Sequence, residues 1–133
     1  MLHIVKRLKP DQEIFQSIEA ICISNHIEAG VILSMVGSVK KAQLRFANQE
    51  QPAAIDGPHE IVSATGTVAK SGCHIHIALS DSTGTTTGGH LVPGAIVYTT
   101  VELVILDISD HCKFSRQLCE LSGFEELVIE DDI

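Results

Sequence analysis

The chain has 133 residues, 44% of them hydrophobic but only 4% aromatic, with no tryptophan. That length predicts a single compact domain over residues 1–133, and a core made of Ile, Val, Leu and Ala suits a sheet. Nine Lys and Arg against seventeen Asp and Glu leave a formal net charge of −8, which opposes unaided attraction to phosphate backbones and argues against nucleic acid as a partner.

In chain order, residues 2–8 alternate loosely and read as an opening strand, which Lys9-Pro10-Asp11 breaks. Ile14, Phe15, Ile18, Ile21 and Cys22 then recur at three- and four-residue spacing, with Asp11 or Pro10 near the start and Gly30 beyond the end. This stripe predicts a long amphipathic helix. Val31 to Val36 is a short apolar run ending in Gly37-Ser38, and Lys40 to Ala47 alternates with Ala42, Leu44 and Phe46 on one side. Both read as strands, and the basic cluster Lys40, Lys41, Arg45 as a solvated strand face. Asn48 to Pro58 carries Pro52, Asp56, Gly57 and Pro58 and reads as a loop.

Glu60 to Val68 is a further strand, and residues 73–80 and 85–91 form a hairpin around Asp81-Ser82-Thr83-Gly84. Pro93-Gly94 turns the chain into Ala95 to Ile108, the most apolar stretch and a candidate for the sheet centre. Phe114, Leu118 and Leu121 have helical spacing, with Gly123 as a stop, and Phe124 to Glu130 reads as a last strand. The fold class predicted is therefore α+β, a mostly antiparallel sheet packed with one long helix plus a short C-terminal helix or turn.

Cysteines 22, 73, 112 and 119 have no CxxC spacing and are expected as reduced, mostly buried thiols. No apolar run preceded by a basic region opens the chain, so the location expected is cytoplasmic, with no membrane partner.

The hairpin carries the chemistry. In an extended strand His74 and His76 share a face, with Cα atoms roughly 6.5 Å apart, close enough for neutral imidazoles to converge on one ion. His90 returns beside them on the second strand. A five-residue loop from Asp81 to Thr85 sets His76 opposite His90, whereas a four-residue loop sets His90 opposite Ile75 and facing away. Three imidazoles without an evident fourth ligand fit an open site, completed by water or a small-molecule ligand. Cys73 has the opposite parity and is assigned to core packing.

The run Gly57-Pro58-His59-Glu60-Ile61-Val62-Ser63, with Gly66, His74-Ile75-His76, Asp81, Gly84, Gly88-Gly89-His90-Leu91, Gly94 and Thr99-Thr100-Val101-Glu102, resembles the plants and prokaryotes conserved domain. Gly37-Ser38, Phe114-Ser115-Arg116 and Gly123-Phe124-Glu125-Glu126-Leu127 extend the resemblance over nearly the whole chain. The resemblance implies a compact α/β domain, usually a homotrimer, in which His74, His76 and His90 bind zinc. It also implies a link to DNA through the plant branch, but this chain lacks the Arg-Gly-Arg-Pro hook of those proteins.

Zinc on three neutral imidazoles would lower the pKa of bound water toward about 7 and allow a hydrolytic or hydration reaction. Such an enzyme needs a carboxylate base. Glu102, set in an apolar strand, and Asp81, near the hairpin turn, are the candidates. Each has a plainer reading: Glu102 as a carboxylate on a face covered by another subunit or orienting an imidazole, Asp81 as a turn residue accepting backbone N–H groups. The leading function is a zinc-binding homotrimeric module, ahead of a zinc-dependent enzyme and of DNA binding.

Overall fold

The computed structural model describes residues 2–131. They form β1 (Leu2–Leu8), α1 (Ile14–Ser24), β2 (Gly30–Arg45), β3 (Ala53–Ala69), β4 (Gly72–Ser80), β5 (Thr86–Leu91), β6 (Ile96–Asp107), β7 (Cys112–Leu118) and β8 (Glu125–Asp131). The main sheet runs β1-β6-β2-β3-β4-β5, and β7 and β8 make a separate two-stranded ribbon. Every pairing is antiparallel.

The C-terminal end of β2 also pairs with β5, Leu44 opposite Leu91 and Arg45 opposite His90. The succession β2-β3-β4-β5 therefore closes back on β2. Inside it lie Val39, Ala42 and Leu44 of β2, Ile75, Ile77 and Leu79 of β4 and Leu91 of β5, all buried. Alternation then turns His74 and His76 outward. Residues 95–108 were read as central, and β6 does lie between β1 and β2 with Val97, Val101, Leu103 and Ile105 buried.

The expected α+β arrangement with a long helix is corrected to a mostly antiparallel β fold with one short helix. The stripe itself was read correctly: Ile14, Ile18 and Cys22 are buried, with Phe15 and Ile21 packed against the same core. Burial of Ile14 and of Ile18 each stabilises by roughly 2 kcal/mol. Yet α1 has only eleven residues, about 16 Å of helix. Its N-cap is Glu13, whose carboxylate accepts from Phe15 N at 3.1 Å and Gln16 N at 2.6 Å, rather than Asp11 or Pro10. At the other end Asn25 caps by donating its side-chain N–H to Ile21 O at 2.9 Å.

The helix expected over Phe114–Leu121, given as a short C-terminal helix or turn, is not formed: Phe114 to Leu118 belong to β7, and Leu121 lies in the turn that follows. Cys112 and Phe114, two residues apart, are the buried positions, packed with Ala29 and Ala69, while Leu118 and Leu121 are 62% and 99% exposed. A period of two therefore prevailed over an accidental helical spacing. Gly123, at φ +80°, lies in the turn into β8, where its N–H donates to Cys119 O.

Two strand boundaries move as well. Val31–Val36 and the stretch from Lys40 belong to one strand, which ends at Arg45, short of Ala47, and has irregular register at three places where it curls. The supposed loop ends at Pro52, and β3 carries Asp56-Gly57-Pro58 through a bulge where Val39 pairs with His59 but Lys41 with Asp56. A proline is tolerated there because the ladder is already interrupted.

Candidate metal centre

The hairpin takes the five-residue loop. Ser80 lies opposite Thr86 and His76 opposite His90, so the three imidazoles stand on one face. Asp81 closes the turn, accepting from Thr83 N, Thr83 Oγ1 and Thr85 N at 2.7–3.0 Å. These donors hold its carboxyl below the usual carboxylate range. Asp81 is five residues along β4 from His76, roughly 16 Å of strand, so it sets the register that delivers His90 and lies away from the imidazoles.

One ring nitrogen from each of His74, His76 and His90 lies within 4.8 Å of the other two, a spacing that could hold a metal ion. His74 Nε2 and His76 Nε2 are 3.2 Å apart, close to the roughly 3.3 Å between two nitrogens on a tetrahedral zinc. Ring centroids are separated by 4.9 to 5.7 Å. Burial pushes the His74 imidazole below its usual value, and His76 and Arg116 push it the same way against Glu126. His90 is pushed down to about 4, first by burial and then by Arg45 and its two histidine neighbours. Both rings are therefore neutral at pH 7, the form that ligates a metal.

The sign of the pH effect follows. A histidine with a depressed folded pKa stabilises the fold above its unfolded value near 6.5 and loses that contribution as pH falls toward 4. Zinc-free protein is expected to melt at a constant temperature above pH 7 and at falling temperatures from pH 6.5 to 4, followed by circular dichroism. A flat profile across that window would contradict the assignment of the rings as neutral.

Glu102 does not join the triad. It is exposed on β6, three strands from β4, opposite Val36 on one side and Arg7 on the other. Cys73 turns inward, where it packs on the core and its thiol donates to Ala69 O at 3.8 Å. Among the described residues all four cysteines are free thiols.

Sequence reasoning missed the surroundings of the triad. Closure of the sheet brings Arg45 opposite His90, and β7 lies against the turn end of β3 and β4, where Ser71 Oγ donates to Phe114 O at 2.8 Å and Arg116 donates to Thr67 Oγ1 at 3.0 Å. Arg45, Arg116, His74, His90, Phe124 and Glu126 line one cleft of about 430 Å³. Arg45 had been read as part of a solvated face, and no local pattern ties residues 45, 90 and 116 together.

The profile of the Plants and Prokaryotes Conserved (PCC) domain matches residues 1–109. The chain belongs to this family. A structure from Salmonella enterica, of a protein described as hypothetical, superposes with a TM-score of 0.95 at 39% identity, covering 99% of this PCC chain and 95% of the other. A metal-containing protein from Archaeoglobus fulgidus superposes at 0.81 with 28% identity, over 96% and 94% of the two chains. One from Bacteroides thetaiotaomicron, carried under a provisional DNA-binding name, superposes at 0.83 with 25% identity, over 95% and 91%. Among curated proteins, the chain is 40% identical over 124 residues to the bifunctional protein GlmU of a Synechococcus strain. That match takes in 93% of the PCC chain but only about one fifth of the length of the curated relative. No described helix is long and apolar enough to cross a membrane.

Proposed function

We propose that this PCC chain is a zinc-binding module that works as a homotrimer, with His74, His76 and His90 as the ligands. One observation carries the reading: three imidazole nitrogens from two paired strands converge within 4.8 Å on one face. Neutral imidazoles suit zinc, and three of them leave a position open toward the neighbouring cleft. The metal-containing relative from Archaeoglobus supports the same reading.

The trimer is supported by the outer face of the main sheet. Val5, Leu33, Val36 and Val62 are each more than half exposed there, a costly apolar display for a solitary chain. Glu102 stands among them beside Arg7, suited to a polar contact within a covered face. For protein purified without chelator, sedimentation is expected to show three chains and elemental analysis one zinc per chain. A monomer at micromolar concentration would sink the assembly, and metal-free protein the site.

Binding is favoured over catalysis because Glu102 and Asp81, the two carboxylates read as bases, are both placed away from the imidazoles. Binding to DNA has the name of the Bacteroides relative in its favour. Against it stands the net charge of −8.

A further inference from the structure

We propose that the cleft beside the triad binds a small molecule bearing an oxyanion, a phosphate or a carboxylate, with Arg45 and Arg116 as its clamp. Two of the three arginines in the chain line this one cleft. Three lysines, Lys40, Lys70 and Lys113, each have a carboxylate partner. Among the described residues neither Arg45 nor Arg116 is in an ion pair, although Glu125 and Glu126 lie on the same cleft wall.

An acidic chain that leaves two guanidiniums unpaired beside a cavity has kept donors for a ligand it does not itself supply. Arg116 is positioned by the bond from Nη2 to Thr67 Oγ1, which leaves most of its five N–H donors available. Arg45 is set opposite His90 by the β2–β5 closure. Guanidinium forks match phosphate and carboxylate oxygens in pairs, and a cavity of about 430 Å³ is of the size that takes a small metabolite. Phe124 adds an apolar wall, and Glu126 an acceptor for a hydroxyl or amino group.

The inference deepens the zinc reading, since a cation on the imidazoles would add positive charge to the same cleft, but the two arginines attract an oxyanion without it. Calorimetric titration of zinc-loaded and zinc-free protein with inorganic phosphate, and separately with malonate, tests it. Arg45→Gln and Arg116→Gln are each expected to weaken binding roughly tenfold, with zinc content unchanged. Whichever anion binds more tightly assigns the ligand as phosphate or carboxylate. The proposal is overturned if wild-type protein binds neither anion, or if the double variant binds as wild type does. Should Arg116→Gln misfold through loss of the Thr67 bond, Arg45→Gln decides alone, because among the described residues no hydrogen bond or ion pair is made by the Arg45 side chain. Failure of the zinc reading registers separately, as wild-type protein that holds no metal while the anion titrations still respond to the arginines.

Discussion

Replacing His74 and His90 together by alanine is expected to take zinc content from about one ion per chain to near zero, measured by elemental analysis after dialysis against micromolar zinc. The variant keeps only His76, and a single surface imidazole cannot hold the ion against water. His74 is exposed and His90 half-buried, and the rings point away from the core residues Ile75 and Ile77. The zinc-free melting temperature should therefore change little. Adding zinc separates the two proteins further. A ligand present at a hundred times its dissociation constant stabilises by about 2.7 kcal/mol, so zinc should raise the melting temperature of wild type and leave the variant unmoved. Equal zinc content in the two proteins would remove the triad as the site.

Gly37→Ala is expected to be the most damaging single-methyl change in the chain. Gly37 sits mid-strand in β2, paired with Ile61 of β3 and Val101 of β6, so neither flank is free to give way. A Cβ built there would lie 1.9 Å from Thr100 O and 2.9 Å from Val101 Cα, both backbone atoms, at a φ of +154°. Removing that overlap means pulling β6 from β2, and the loss should exceed about 4 kcal/mol. For a domain of this size, this lowers the melting temperature by on the order of 15 °C or leaves the protein insoluble. Gly57→Ala is the control, since its φ of +90° strains a side chain but nothing lies within 4 Å. A Gly37→Ala protein melting within a few degrees of wild type would show that the β2–β6 approach is looser than described.

The local patterns that read well are those backed by burial on one side only. Alternation at 73–80 put the histidines on one face and Cys73 on the other because β4 is covered inside and open outside. The apolar run in β6 marked an interior strand, flanked by β1 and β2 though only one place in from the sheet edge. The errors have an equally specific cause. Phe114, Leu118 and Leu121 mimicked a helical stripe, but Leu118 and Leu121 face solvent, and Cys112 with Phe114 follows the strand period. Gly57-Pro58 looked like a loop because a bulge and a turn call for the same residues.

What residue order alone determined was the chemistry available: two imidazoles with one residue between them, a third on the returning strand, and too few basic residues for a phosphate backbone. Residue order left open whether the turn had four or five residues. The bonds made by Asp81 and the pairing of His76 with His90 settled that. Only the tertiary structure brought Arg45 and Arg116 to the same cleft, because one arrives through closure of β2 onto β5 and the other through a ribbon more than twenty residues downstream of His90. Such contacts depend on how a sheet curls, which is a property of the whole packed core and not of any window along the chain.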